Sequence, residues 1–457
     1  MRTLPSSIYK KLVPIQLAAI IFLTVSGGPY GLESLLYYVG EHGALLLLIL
    51  VPLLWDIPTI FTVLELNSMM PVNGGYYQWV KRALGKRWAL YEGWWTWLYT
   101  FVDLAIYPVL FVQYAAFFFP GFEAYKIPVC LSIIWLGAGL NILGIVPVGR
   151  ISVILTGIVL IPFVILFYIA FTKHTGTTVA IPHMSLKGIP FSAVGLGLYT
   201  VMWNFLGWDN TTTYAEEVNK PARSYLISVA ISFGLVFVVY FLTLLASQHA
   251  GIDYATLKEE GYPLLGVKTG GYWLGVLISI GGMASAVGLF SAVLLSVSRV
   301  PKVMADDGLL SDKLSKLHPK FKTPYISIIV CSVVVSIMIL WSFEELIIID
   351  VTLYGAALFL EFITLIVLRV RYPDEHRPFK IPLNVFGLCL MLLLPLGIYA
   401  IALTGALMDM GTKPALFAVG ILLTGEIVWR IVGVTTLKKK TNEELKAEEL
   451  KLQDSTL

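Results

Sequence analysis

Apolar residues run through this chain from Leu12 to Val434 in blocks separated by short polar connections. Most blocks reach the ~20 residues an α-helix needs to cross the hydrocarbon core of a bilayer, and all exceed the ~10 of a membrane strand. Only helices and closed barrels satisfy every backbone N–H and C=O in lipid, so runs of this length predict helices. The pattern divides into twelve spans, near Leu12–Tyr38, His42–Met70, Trp88–Phe119, Ile127–Val146, Ile151–Thr172, Phe191–Glu216, Tyr225–Gln248, Gly271–Met304, Pro324–Ser342, Glu345–Val370, Val385–Met408 and Pro414–Val434. Lys10 and Lys11 precede the first run without a small-residue cleavage site behind it, so that run is read as a retained span rather than a leader. Residues 435–457, with Lys438–Lys440 and a Glu/Lys-rich stretch, read as a solvated or membrane-grazing helix without an assigned role.

Composition agrees with an all-α membrane protein. Hydrophobic residues make up 57% and charged residues 13%, far from the roughly half and quarter of soluble domains. A mean hydropathy of +0.81, spread evenly, leaves one membrane domain over 12–434 and no soluble module inside it. The net charge of +3 comes from basic residues scattered among connections, which excludes a nucleic-acid stripe. With both termini in the cytoplasm, 26 of the 32 Lys and Arg fall on the inner side, as the positive-inside rule requires. Cys130, Cys331 and Cys389 lie in apolar runs without metal or disulfide spacing and read as small apolar residues.

Two spans are interrupted. The first holds Ser26-Gly27-Gly28-Pro29-Tyr30-Gly31 and the sixth holds Trp203-Asn204-Phe205-Leu206-Gly207-Trp208-Asp209-Asn210. Glycine frees the backbone and proline removes a donor, so neither span continues as a regular helix through its middle. Paired breaks at corresponding places of two halves point to an inverted-repeat transporter, with half-helix ends exposing amides and carbonyls at the midplane. Amides at a helix start attract carboxylate, and carbonyls at a helix end attract cations.

A carboxylate at the bilayer centre costs at least ~2.5 kcal/mol, so each acid inside a span needs a cavity, a partner or a proton path. Asp103 lies mid-way along the third span with Tyr107 one turn on, and is the first choice for a substrate ammonium. Asp56 is central in the second span, Glu65 nears its cytoplasmic end, Glu33 follows the first break and Asp209 sits at the second. Desolvation favours the neutral form of a carboxyl group, the property a proton carrier needs. Asp56, Glu65, Asp103 and Asp209 are therefore the proton-coupling candidates. Trp203, Phe205 and Trp208 flank the second break, where rings can line a pocket or face a cation, while Trp94, Trp95 and Trp97 suit an interfacial belt.

These residues resemble the amino acid-polyamine-organocation superfamily. The resemblance is carried by Glu65-Leu66 with Pro71, Gly74-Gly75-Tyr76 and Gly85, and by Ser298-Arg299, Met304-Ala305 and Asp307-Gly308-Leu309-Leu310. Within it the chain is most similar to the polyamine/proton symporter group of plants and protozoa. The blocks are Ser26-Gly27-Gly28-Pro29 with Gly31 and Glu33, Asp103 with Tyr107-Pro108-Val109-Leu110, Trp203-Asn204 with Trp208-Asp209 and Glu217-Val218, and Leu360-Glu361-Phe362 through Arg377-Pro378. The resemblance implies a five-plus-five inverted repeat, about 12–172 and 191–370, with two extra helices over 385–434. It also implies a central site between helices 1, 3, 6, 8 and 10, and uptake coupled to protons. Carried over, Ser26, Gly27 and Gly28 offer backbone groups to substrate, and Glu33 and Asp103 face amines. Tyr107, Asn204 and Tyr354 shape the pocket, and Trp203, Trp208 and Asp209 act at the helix 6 gate. The chain departs from the group's pattern near that pocket: Trp55-Asp56-Ile57-Pro58-Thr59 stands for Trp-Ser-Ile-Pro-Glu, Leu104 for asparagine and Gly207 for tyrosine.

The expectation is a secondary active transporter of amino acids, amines or polyamines in the cell membrane, working by proton symport and needing no cofactor, metal or protein partner. Its contacts are a small amine or amino acid and membrane lipid. Pro29 removes one amide from a carboxylate cradle while Glu33 and Asp103 add negative charge, which leans towards cationic amines; a zwitterionic amino acid on Asp103 and the amides of Gly27 and Gly28 is the alternative. Sodium coupling stays open through Ser285 and Ser291. An integral membrane enzyme fits poorly, since all six histidines fall in loops or at helix ends without metal-ligand spacing.

Overall fold

The computed structural model describes residues 11–119, 121–172, 183–340, 343–413 and 416–433, so the expected helix over 435–457 lies outside it. Seventeen helices follow in order: α1 Pro14–Val25, α2 Glu33–Val51, α3 Ile57–Met69, α4 Gly75–Leu84, α5 Lys86–Ala115, α6 Lys126–Ile142, α7 Ile145–Thr172, α8 Phe191–Trp203, α9 Pro221–His249, α10 Tyr254–Glu260, α11 Tyr262–Gly270, α12 Tyr272–Val297, α13 Val300–Asp306, α14 Tyr325–Met338, α15 Phe343–Arg371, α16 Val385–Met410 and α17 Leu416–Gly433. Among the described residues β pairing is limited to two isolated bridges, Leu12 with Val218 and Asn73 with Tyr214. Nine helical stretches there are long and apolar enough to cross a membrane, and α1, α8 and α14 are shorter apolar helices.

The outer surface is what lipid requires. On α7, Ile154, Ile161, Val164 and Tyr168 are each exposed by about 60% or more, and Leu416, Leu423, Ile427 and Ile431 do the same on α17. Apolar patches of that extent on a monomer mark a surface facing something other than water. Inside, small residues allow close approach, as in membrane helices generally. A Cβ added to Gly195 of α8 would stand 2.5 Å from the Cα of Gly405 on α16, so those two helices touch backbone to backbone.

Several predicted boundaries move, for local reasons. The first predicted span ends at Val25 as a helix and resumes at Glu33, and Gly40 (φ +63°) separates that short second piece from the rest of α2. A π-turn over Pro52–Asp56 joins α2 to α3, and Asp56 on it is fully buried. The sixth predicted span is helical only to Trp203; beyond the break, short 3₁₀ turns at Asn210–Thr213 and Ala215–Glu217 replace the expected second half. The fifth begins six residues early, at Ile145, because Pro147 sits in the first turn, where amides have no intrahelical acceptor.

Hydropathy leaves α4, α10 and α11 as connections. Yet α4 is amphipathic, burying Tyr76, Tyr77, Trp79 and Val80 while its last turn carries Lys81 and Arg82. Apolar and charged faces cancel in a windowed average.

The face that carries Lys81 and Arg299 is cross-tied. Leu12 N donates to the Glu217 carbonyl at 3.0 Å, and Arg299 Nε donates to Glu217 Oε1 at 2.7 Å. Lys81 and the Tyr77 hydroxyl both reach Asp307 at 2.6 Å; burial beside that carboxylate pushes the Tyr77 hydroxyl above its ordinary range, so it stays a donor. The similar residues Arg299 and Asp307 are thus scaffold that closes this basic face.

Candidate substrate site

The two interruptions meet. At the end of α1 the amides of Ser26 and Gly27 both donate to the Phe22 carbonyl, at 3.0 and 2.9 Å. Gly27 (φ +60°) and Gly28 (φ +101°) then take left-handed conformations that turn the chain off the helix axis. At the end of α8, Gly207 (φ +97°) plays the same part. The Tyr240 hydroxyl of α9 lies 2.7 Å from Ser26 Oγ and donates to the Asn204 carbonyl at 2.9 Å, tying one break to the other. Trp203 packs so closely on Gly31 that a Cβ there would stand 2.6 Å from its ring.

Between the breaks, α5, α12 and α15 enclose a small cavity of about 20 Å³. Its lining includes Ser26, Asp103, Tyr107, Trp203, Asn204, Tyr99, Asn210, Asp350 and Tyr354. The Tyr107 hydroxyl, one turn along α5, donates to Asp103 Oδ1 at 2.5 Å. The Trp203 side chain also hydrogen-bonds Asp103. Asp350 comes from α15, is buried, and its Oδ1 has no hydrogen-bond partner. Tyr99 and Tyr354 meet edge to face with centroids 5.3 Å apart, and the Tyr354 hydroxyl donates to Asp209 Oδ1 at 2.7 Å. Two carboxyl groups and several aromatic rings thus converge, the constellation that suits an organic cation.

Of the residues expected at the substrate, Ser26, Asp103, Tyr107, Trp203, Asn204 and Tyr354 line this cavity. Gly27, Gly28, Glu33, Trp208 and Asp209 do not line it. Glu33 is engaged elsewhere, accepting from Gly31 N at 2.6 Å, the Tyr114 hydroxyl at 2.5 Å and Tyr262 N at 3.4 Å. It ties the first break to α11 on the face opposite Lys81. The Gly28 amide donates to Ser26 Oγ at 3.0 Å, so it too is occupied. Trp208 sits behind the second break and donates to Asp56 Oδ1 at 3.3 Å. Asp209 meets the cavity lining through Tyr354 and its neighbour Asn210.

Glu65 has a different surrounding from the other proton-coupling candidates. Arg369 binds it through Nε at 2.5 Å and Nη2 at 2.6 Å, Arg377 Nε lies 3.2 Å away, and Ile381 N donates at 2.8 Å. Two guanidinium groups and an amide fill its acceptor sites, the geometry of a clamp joining α3 to the last turn of α15 and the segment after it. We therefore read Glu65 as structural.

Sequence reasoning missed Asp350, Tyr99 and Asn210 at the cavity, and the buried acids Glu92 and Glu361 below it. The signal for Asp350 was present, an acid following Leu346-Ile347-Ile348-Ile349 in an apolar run. It falls inside the tenth predicted span, Glu345–Val370. Ser285 is also buried without a partner for its hydroxyl, against Gly27.

A bundle of apolar helices with a polar cavity at two broken helices, and a lipid-matched exterior, defines a multi-pass membrane carrier of small solutes rather than an enzyme. The comparison with known proteins agrees: an amino acid permease family model matches residues 13–425, and the chain belongs to that family, within the amino acid-polyamine-organocation superfamily. It is 32% identical to a polyamine transporter of Arabidopsis thaliana over 392 residues, covering 84% of this chain and 79% of the relative. A polyamine transporter of Oryza sativa subsp. japonica is 31% identical, covering 85% and 73%. A branched-chain amino acid permease of Bacillus subtilis is 28% identical, covering 73% and 76%.

Proposed function

We propose that this secondary transporter carries organic amines, polyamines foremost, by alternating access with protons as the coupling ion. The observation that carries the reading is the pairing of Asp103 with Asp350 in one small cavity. Each carboxylate inside a membrane is costly alone, and a bound ammonium offsets both. Tyr107, Tyr99 and Trp203 add hydroxyl and π contacts that suit an alkylammonium chain.

The main chain argues for the same substrate. A free amino acid needs donors for its carboxylate, and half-helix amides are the usual source. Here the amides of Ser26, Gly27, Gly28 and Gly31 already donate to Phe22, Ser26 Oγ and Glu33. Ammonium groups without a carboxylate match what is left. The names of the plant relatives point the same way.

In this reading twelve spans form two inverted repeats of five, about 12–172 and 191–370, each opening on its broken helix, with two further spans over 385–434. Both termini face the cytoplasm of a cell-membrane protein, which the basic face around Lys81, Arg299 and Arg369 supports. Asp103 and Asp350 anchor the substrate, with Asp56 and Asp209 as proton-responsive groups behind it.

The test is purified protein in liposomes, challenged with labelled putrescine, spermidine, arginine and a neutral amino acid, with and without pH and sodium gradients. Accumulation of the polyamines driven by the pH gradient is expected. Uptake of the neutral amino acid alone would overturn the substrate, and drive by sodium alone would overturn the coupling ion.

A further inference from the structure

Helices α5 and α15 carry the same acid spacing in opposite chain directions. On α5, Glu92, Tyr99 and Asp103 follow at intervals of seven and four; on α15, Asp350, Tyr354 and Glu361 follow at four and seven. Eleven residues are close to three helical turns, so each helix presents both acids and its tyrosine on one face, with the acids ~16 Å apart. Asp103 and Asp350 form the tier at the cavity. Glu92 and Glu361 form a second tier towards the basic face, beneath the Tyr99–Tyr354 contact.

This lower tier is buried and incompletely bonded. Glu92 is 0% and Glu361 1% exposed. The carboxyl groups of Glu361 and Asp209 lie within interaction range of each other. Two buried carboxyl groups that close hold a proton between them more readily than two charges, because ionised carboxylates only accept. Glu92 Oε1 receives only a 3.4 Å hydroxyl contact from Thr96, and the second oxygens of Glu92 and Glu361 have no partner. From α4, Tyr76, 0% exposed and with its hydroxyl unpartnered, comes within electrostatic range of Asp209, Glu92 and Glu361 together. Among the described residues no Lys, Arg or His forms an ion pair with any of these acids. Neither glutamate lines the cavity.

We propose that Glu92, Glu361, Asp209 and Tyr76 form a proton-holding station between the substrate cavity and the basic face, through which the coupling proton leaves. The proton shared by Asp209 and Glu361 passes to the free Glu92 oxygen and then to water at that face. The pair keeps one more negative charge until a proton arrives from the cavity side. Tyr76 is a positioning residue whose hydroxyl can donate to whichever carboxylate is charged.

This inference rests on the proton-coupled reading, and its test separates the two. Proteoliposomes with an entrapped pH dye report protons moved per labelled putrescine taken up. Native protein is expected to show a fixed ratio, and Glu92→Gln and Glu361→Gln to lose proton movement while any remaining amine flux runs as exchange. Glutamine variants with the native ratio would overturn the station alone; native protein moving amine without protons would overturn the coupling reading and the station together. Tyr76→Phe removes one unbonded hydroxyl and keeps the packing, so it decides the matter should the glutamine variants fail to fold. A shifted pH profile of uptake is expected, and an unshifted one contradicts the station.

Discussion

Tyr240 on α9 lies 2.7 Å from the hydroxyl of Ser26, and through that same phenol it reaches the Asn204 carbonyl at 2.9 Å. The pocket's two irregular walls therefore share one fastening. Tyr240→Phe leaves a buried carbonyl without its donor, at a cost of ~1–3 kcal/mol. The expected result is a lower unfolding midpoint in detergent together with weaker substrate binding. Unchanged values of both would mean that the two breaks are held by packing alone.

Gly31 is constrained twice, by a left-handed backbone (φ +91°) and by Trp203, whose ring stands 2.6 Å from where a Cβ would go. Gly31→Ala should cost ~1–2 kcal/mol from the backbone and ~1–3 kcal/mol from overpacking. Trp203 would move out of the cavity wall. A changed tryptophan emission with weakened binding is expected, and native emission and affinity would refute the contact.

Much of this architecture was legible in the residues. The apolar runs placed the spans, and the glycine-rich stretch at 26–31 with the polar, Gly207-bearing stretch at 203–210 located both breaks, because backbone freedom is written directly in sequence. What sequence could not give was partnership. Glu33, Glu65 and Asp103 all read as acids in a membrane, yet Glu65 meets two arginines from more than 300 positions away, Glu33 meets Tyr114 and Tyr262, and Asp103 faces a cavity. Asp350 escaped notice because its significance depends on α5 lying opposite.

The Glu65 clamp gives a contrast. Breaking a buried ion pair by removing one charge costs about 3–5 kcal/mol, whereas a partly exposed pair is worth ~1 kcal/mol or less. Glu65→Gln should therefore collapse the yield of monodisperse protein, while Glu375→Gln, in a pair with Arg82 whose side chains are 28% and 32% exposed, should spare most of it. Size-exclusion profiles of the two variants decide this. A well-folded Glu65→Gln protein that had lost only its pH drive would restore Glu65 as a coupling group.

Asp56 sits on the π-turn, 0% exposed, with Trp208 on one oxygen and nothing on the other. Asp56→Asn keeps an acceptor for the indole but cannot exchange a proton. Uptake measured across a pH series should flatten while affinity for substrate stays near native. A pH profile superimposable on the native one would remove Asp56 from the coupling machinery.

The most direct test of the ammonium site is equilibrium binding of labelled putrescine to purified native protein and to Asp103→Asn. An ammonium held by a buried carboxylate should bind at least ~2 kcal/mol less well when that charge is removed, roughly thirtyfold in Kd. Equal affinity in the two proteins would contradict an amine bound at Asp103.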